Sequence, residues 1–97
     1  MIFITQIIHI HPNKEKEFLE FEDFAIPLMA EYGGKMIHRI RPAKENFINH
    51  LTDTFPYEVH ILSFPSEQDL NQFIKDPRRL SYVHLKNESV KTSFMIK

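Results

Sequence analysis

Four segments of the chain carry hydrophobic residues in patterns that are typical of β-strands. Residues 2–11, "IFITQIIHIH", are apolar at nearly every position, as in a central strand that is covered on both faces. Residues 35–41, "KMIHRIR", and 57–64, "YEVHILSF", combine alternation with β-branched and aromatic side chains. Residues 90–97, "VKTSFMIK", are the fourth segment, and residues 42–56 are expected to form a loop. The pattern therefore predicts four strands.

A helix is predicted between the first two strands, because apolar side chains recur every three or four residues over residues 18–32. Asn13 is a favourable N-terminal cap for this helix, and Pro27 is expected to kink it. Gly33 and Gly34 should end it, because glycine adopts the left-handed conformation of a helix C-terminus without a Cβ penalty.

The segment after the third strand, "FPSEQDLNQFIKDPRR", contains two helix-start signals. Ser66 with Asp69 three residues later is a capping box. Asp76 is a second cap, and Pro77 stands at the first helical position, where its missing amide hydrogen costs nothing. The second helical segment is therefore predicted to be broken in two. The residues of its second part that we expect to face inward are Leu80, Val83 and His84.

The order strand, helix, strand, strand, broken helix, strand predicts one α+β domain that spans residues 1–97. This order is the split βαβ, or ferredoxin-like, arrangement, with a four-stranded antiparallel sheet. Right-handed crossovers place both helical segments on the same face of that sheet. The other face is left without cover from the chain itself.

Strand alternation divides the side chains of the first and third strands between the two faces of the sheet. The residues expected to face the helices are Ile2, Ile4, Ile8, Ile10, Tyr57, Val59 and Ile61. The residues expected on the opposite face are Phe3, Thr5, Ile7, His9, Glu58, His60, Leu62 and Phe64. Such an uncovered apolar face is large for a monomer, so we predict a homodimer with two sheets packed face to face.

The stretch "EYGGKMIHRI" after the first helix and "FPSEQDLNQFIKDPRR" after the third strand, in this element order, resemble the dimeric α+β barrel superfamily. The resemblance is to its small uncharacterised members and, more distantly, to antibiotic-biosynthesis monooxygenase-like proteins. It implies an eight-stranded barrel shared by two subunits. In some relatives the cavity is an active site for cofactor-free oxygenation or isomerisation, and in others it binds haem. No shared catalytic signature assigns roles to residues of this sequence.

Composition excludes several classes of partner. Twelve Lys and Arg residues against thirteen Asp and Glu residues give a net charge of -1, so the chain lacks the basic excess of proteins that bind nucleic acid or anionic membranes. The chain has no cysteine, and its apolar start has no basic region or cleavage site of a signal peptide. We therefore expect a cytoplasmic protein. Both glycines lie at one helix end, which argues against a phosphate-binding loop.

The candidate catalytic residues are His60, Glu58 and His9, with Thr5 nearby on the same predicted face. A carboxylate beside an imidazole orients the ring and raises its proton affinity, so such a pair is suited to act as a general base. The alternative is that these polar residues satisfy one another at the contact between subunits. His9, His11 and His60 also suggest three metal ligands. No cysteine or carboxylate cluster supports them, and we predict neither a metal nor a cofactor.

The candidate ligand-binding residues are Thr5, His38, Phe3, Phe64, Arg78 and Arg79. Arg78 and Arg79 stand in the first turn of a helix, where the helix dipole disfavours cations, so a bound anion is one explanation for them. The alternative is an ion pair with Asp76, with Asp69 or with a carboxylate of the partner subunit.

Two functions are compatible with this sequence. The first is a dimer that binds a small apolar or aromatic molecule in the barrel. The second is a small cofactor-independent enzyme, of the oxygenase or isomerase type, that uses His60 or His9 as its base. The sequence leaves open whether the protein is an enzyme. An enzyme should have a cavity on which a histidine and an acid converge, whereas a scaffold should fill that space with side chains.

Overall fold

The computed structural model describes residues 1–97 and has the predicted order of elements. The strands are β1 (Ile2–Ile10), β2 (Lys35–Ile40), β3 (Glu58–Phe64) and β4 (Val90–Ile96). The helices are α1 (Glu15–Met29), α2 (Glu67–Lys75), α3 (Pro77–Leu80) and α4 (Val83–Ser89), with single 3-10 turns at Ala30–Tyr32 and Lys44–Asn46. None of the helices has the length and apolar character that crossing a membrane requires.

The four strands form one antiparallel sheet in the order β2-β3-β1-β4. In the central pair, Ile4 lies opposite Leu62 and Ile8 lies opposite Glu58, so these side chains share one face of the sheet. Phe94 of β4 lies opposite Ile7 of β1 on the other face. This topology confirms the predicted ferredoxin-like fold.

The hydrophobic core lies between one face of the sheet and the helices. The sheet contributes Ile4, Leu62 and Phe64, and the apolar stripe of α1 contributes Phe21 and Leu28. Each fully buried side chain of this size stabilises the fold by roughly 1.5–3 kcal/mol. Because α1, α2 and α4 supply the rest of this cluster, the face that carries Ile4 and Leu62 is the covered face of the sheet.

The predicted faces of β3 are wrong. Glu58, His60, Leu62 and Phe64 point toward the helices and are at most 6% exposed, whereas Val59 and Ile61 lie on the opposite face. The residues of β3 are apolar on both faces, so alternation alone does not say which set is inside. Glu58 and His60 can lie inside because they are paired with each other and with Arg39. The predicted faces of β1 are correct for Ile4 and Ile8.

The opposite face of the sheet, which we call the open face, carries a row of exposed apolar side chains. Phe3, Phe94, Ile96 and Ile40 are 59%, 60%, 58% and 45% exposed, and no helix covers them. The flanking residues Ile7, Val59 and Ile61 are partly buried. A contiguous patch of this kind is typical of an interaction surface.

The predicted end of α1 is confirmed at its C-terminus but not at its N-terminus. Gly33 has a φ of 75° and closes the 3-10 turn after α1 in the left-handed conformation, as predicted. Asn13 is not the N-terminal cap; its φ of 65° places it in a tight turn, and Lys14 precedes the helix. A Cβ on Gly34 would stand 2.8 Å from the ring of Phe64, so a glycine also permits close packing there.

The second helical segment consists of three helices rather than two. Ser66 caps α2 by accepting a hydrogen bond from the Asp69 amide at 3.2 Å, and Asp76 caps α3 by accepting one from the Arg78 amide at 2.7 Å. A second break separates α3 from α4. Leu80 is 50% exposed and His84 is also exposed, which contradicts their predicted inward positions, and Arg79 is buried instead.

Candidate functional site

A cavity of about 180 Å³ lies between the covered face of the sheet and the four helices. Nine of its fourteen lining residues are hydrophobic, so its wall is mainly apolar. Helices α1 and α2 provide Phe21, Ala25, Leu70 and Phe73, and Leu62 of β3 forms part of the floor. An apolar concave site with few polar groups is the usual form of a small-molecule pocket.

Five polar side chains reach the same cavity from different elements. They are Gln6 of β1, Glu22 of α1, His60 of β3, Arg79 of α3 and Lys86 of α4. Because the elements are far apart in sequence, the fold alone brings these groups together. Two cations, one carboxyl group, one imidazole and one amide therefore face a mainly apolar space.

His60 is held by a buried network around Glu58. Oε1 of Glu58 accepts hydrogen bonds from Nε2 of His60 and Nε of Arg39, each at 2.8 Å. Oε2 accepts from Nη2 of Arg39 at 3.2 Å and from Nη2 of Arg41 at 2.6 Å. Since an ionised carboxylate only accepts hydrogen bonds, Nε2 of His60 must carry the proton. Nδ1 is then the acceptor nitrogen of the neutral ring.

The protonation states of this network follow from burial and pairing. Burial favours the protonated form of Glu58, but hydrogen bonds from Arg39, His60 and Arg41 outweigh it and hold the pKa of Glu58 below its ordinary value. Burial also lowers the pKa of His60, against the attraction of Glu58. The site therefore contains an ionised carboxylate and a neutral imidazole near pH 7.

Glu22 is the one carboxyl group on the cavity wall. Burial raises the pKa of Glu22 to about 7, although the positive charge of Arg39 opposes this shift. Lys86 lines the same space, and burial together with repulsion from Arg79 lowers the pKa of Lys86. Near neutral pH the cavity therefore holds a carboxyl group that readily gains or loses a proton.

The two arginines of α3 have different surroundings. Arg79 is 9% exposed, lines the cavity and lies 5.5 Å above the rings of both Phe21 and Phe73. Its Nη1 donates to the backbone oxygen of Ile74 at 3.1 Å, whereas its Nε is buried without a hydrogen-bond partner. The aromatic faces explain why a cation can lie here.

Arg78 lies outside the cavity and holds α3 in place. Its Nη2 is 2.9 Å from Oδ2 of Asp76, and its Nη1 is 3.1 Å from Oε2 of Glu31. The hydroxyl group of Tyr32 donates to the same aspartate. This is the ion pair with Asp76 that the sequence suggested as the alternative to ligand binding. Arg78 therefore connects the start of α3 to the 3-10 turn after α1.

The other predicted site residues do not meet at the cavity. His9, Thr5, Phe3 and His38 lie on the open face, with Thr5 and His38 both opposite Ile61. They are separated from His60 by the sheet, because successive side chains of a strand point to opposite faces. Glu58 and His60 are therefore together, as expected, but His9 is not part of their group.

Two further sets of side chains lie away from their expected positions. The three histidines considered as metal ligands do not meet, since His9 and His60 lie on opposite faces and His11 is exposed. Phe64 is 1% exposed within the core and does not line the cavity. Both differences follow from the reversed face of β3.

Glu22 and Lys86 also line the cavity, although neither was expected from the sequence. Glu22 belongs to the acidic run "EKEFLEFED", which is most simply interpreted as the solvated face of a helix. Its signal is its position between Phe21 and Ala25 at the border of the apolar stripe of α1. Lys86 similarly follows the buried Leu85.

Comparison with known proteins identifies the fold only. No family model matches the sequence, and no curated protein matches it. A protein of unknown function from Rhodopseudomonas palustris is similar in structure, with a TM-score of 0.84 and 17% identity over 97% of this chain and 77% of that one.

Two other solved structures have descriptions that name the fold. A dabb family protein with a ferredoxin-like fold from Mesorhizobium loti has a TM-score of 0.64 and 14% identity, over 97% of this chain and 90% of that one. A dimeric protein of unknown function with a ferredoxin-like fold from Bacteroides fragilis has a TM-score of 0.64 and 12% identity, over the same shares. The chain therefore has the ferredoxin-like α+β fold of these proteins.

Proposed function

We propose that this protein is a homodimer that binds a small apolar or aromatic molecule in the cavity between its sheet and its helices. The two open faces pack together and form the barrel, and each protomer binds its ligand on the covered side. The ligand site is thus separated by the sheet from the contact between subunits.

The main observation in favour of ligand binding is the cavity. A scaffold without a ligand would fill the space between sheet and helices with side chains, because protein interiors are close-packed. A cavity of about 150 Å³ lined by apolar residues is large enough to bind benzene. The cavity of about 180 Å³ therefore fits one six-membered ring or a short alkyl chain.

The main observation in favour of a homodimer is the exposure of apolar side chains on the open face. Phe3, Phe94 and Ile96 are each more than half exposed in the single chain, on a face that no other element covers. The similar protein from Bacteroides fragilis is described as dimeric. Packing the two faces around a twofold axis would bury each of these side chains in both protomers at once.

Filling the cavity tests the binding function. Ala25 is buried on the cavity wall, whereas Ala30 is exposed just after α1, so the matched variants are Ala25→Leu and Ala30→Leu. We expect toluene to bind the wild type and Ala30→Leu, and to lose measurable affinity for Ala25→Leu, in a calorimetric or NMR titration. Equal binding of toluene by a folded Ala25→Leu protein, or no binding by the wild type, would exclude this cavity as the site.

A second candidate function is proton abstraction by His60. The neutral ring lines the cavity and offers Nδ1 as a base, and the ionised Glu58 would stabilise the imidazolium that forms. Glu58 itself is a poor base, because Arg39, Arg41 and His60 already occupy its oxygens. The reaction would transfer a proton from an activated carbon of the ligand to Nδ1 and leave an enolate.

Isotope exchange tests this second function. Cyclohexanone in D₂O should exchange its α-hydrogens faster with the wild-type protein than without it, as followed by NMR. The exchange should return to the uncatalysed rate with His60→Gln and stay unchanged with His84→Gln, whose histidine is exposed and outside the cavity. Equal rates for the wild type and His60→Gln would leave ligand binding as the function.

A further inference from the structure

Basic groups exceed acidic groups around the cavity, although the whole chain has a net charge of -1. The cavity wall and the network behind it contain Arg39, Arg41, Arg79, Lys86, Glu22 and Glu58. Four positive side chains thus face two carboxyl groups, of which Glu22 is only partly ionised near pH 7. With all four basic groups protonated, the local excess is at least two positive charges.

The ion pairs of this region leave two of the cations unpaired. Glu58 binds both Arg39 and Arg41. Arg79 and Lys86 form no ion pair with any carboxylate of the chain. Glu22 attracts both cations, but it is only partly ionised near pH 7, so the buried Arg79 has lost its hydration without gaining a full counter-charge. The chain pays this cost at a position that lines a cavity.

Two donor groups of Arg79 are not used by the chain. Nη1 donates to Ile74, whereas Nε and Nη2 have no protein acceptor. Because Nε is buried, Nη2 is the donor that a ligand can reach. A guanidinium N–H forms a strong, charge-assisted hydrogen bond with a carboxylate.

We propose that the natural ligand is a small monocarboxylic acid, with its carboxylate on Nη2 of Arg79 and beside Lys86, and with its apolar part between Phe21 and Phe73. The inference rests on the proposed function, because it specifies the chemistry of the ligand in the same cavity. One carboxylate fits better than two, since Glu22 lines the wall and would repel a second one. The size of the cavity limits the apolar part to about one ring.

Benzoate and benzamide test the inference, because they have nearly the same shape and differ in charge near pH 7. We expect the wild-type protein to bind benzoate at least about tenfold more tightly than benzamide, as a charged hydrogen bond is worth roughly 1.5–3 kcal/mol. Arg79→Met should lower the affinity for benzoate by about tenfold or more and leave benzamide within about twofold. Lys75→Met is the matched control, since Lys75 is exposed outside the cavity, and should change neither affinity.

The comparison of two probes does not depend on the stability of one variant. If Arg79→Met does not fold, Lys86→Met should still reduce the preference for benzoate, and the preference of the wild type is measured without any substitution.

Toluene distinguishes a failure of the carboxylate inference from a failure of the proposed function. Binding of toluene and benzamide without a preference for benzoate would overturn the carboxylate inference and leave the proposed function standing. Binding of none of the three compounds would overturn both.

Discussion

The two faces of the sheet differ in a way that reverses the usual distribution of polar and apolar residues. The open face exposes Phe3, Phe94 and Ile96, whereas the covered face buries Glu58 and His60, each 1% exposed. The buried pair is tolerated because Arg39 and Arg41 complete its hydrogen bonds. The exposed side chains have no corresponding partner in the chain. This difference is the reason why we propose assembly through the open face and ligand binding on the covered face.

The largest expected effect comes from placing a charge on the open face. Phe94→Asp should weaken the dimer by about 4 kcal/mol, or roughly a thousandfold, because a twofold axis places the change in the contact twice and each copy costs about 2 kcal/mol. Sedimentation equilibrium would show the monomer mass at micromolar concentration. Leu51→Asp is the control, since Leu51 is fully exposed in the loop before β3 and should leave the dimer intact. A monomeric wild-type protein would contradict the role of the open face.

An intermediate effect is expected from the buried carboxylate of the covered face. Glu58→Gln should lower the free energy of unfolding by about 2–3 kcal/mol, below the 3–5 kcal/mol typical of a broken buried pair, because both arginines are partly exposed to solvent. Glu67→Gln removes the carboxylate of the exposed pair with Lys97 and should cost less than about 1 kcal/mol. Chemical denaturation measures both. Equal losses would mean that the Glu58 network stabilises no more than a surface ion pair.

The orientation of β3 could not be predicted from the sequence, whereas most of the fold could. Element order, the capping residues Ser66 and Asp76 and the turn at Gly33 were predictable, because each depends on local spacing or on one backbone conformation. The face of β3 that points to the core was not predictable, because both faces of this strand carry large apolar residues. Only the register with β1 and the cation of Arg39, which lies on another strand, decide that Glu58 points inward.

The cavity was less predictable than the fold for the same reason. His60 was chosen from its strand pattern and does line the cavity, but its expected neighbour His9 lies across the sheet. Glu22, Arg79 and Lys86 meet there from three helices. The sequence predicted the break between α2 and α3 but not the one between α3 and α4, and within α3 it is Arg79 that is buried and Leu80 that is exposed.

The smallest expected effect concerns the pH dependence of stability. The folded protein keeps Glu22 protonated up to a pKa of about 7, whereas the unfolded chain loses that proton near 4.5, so Glu22 lowers the free energy of unfolding as pH rises between these values. Glu22→Gln should remove this contribution and raise the free energy of unfolding at pH 7 relative to pH 5 by about 2 kcal/mol. Thermal denaturation of the wild type and the variant at both pH values measures it.

The same pH range contains an opposing contribution from His60. Its lowered pKa means that the unfolded chain binds a proton below about 6.5 that the folded protein resists, so this contribution to stability is lost as pH falls. The comparison must therefore be made between variants, with Glu20→Gln on the exposed side of α1 as the control. An unchanged pH profile for Glu22→Gln would show that Glu22 does not titrate in the cavity.

The separate roles of the two faces can be tested most directly in one methyl NMR experiment on isoleucine-labelled protein, with a soluble paramagnetic agent and benzoate. Ile96 and Ile48 are 58% and 96% exposed in the single chain, and Ile74 lines the cavity. We predict that the agent broadens Ile48 and spares Ile96, because Ile96 lies between two subunits, and that benzoate shifts Ile74 and leaves Ile96 unchanged. Equal broadening of Ile96 and Ile48, or a benzoate shift at Ile96 in place of Ile74, would contradict the division of the molecule into an assembly face and a binding face.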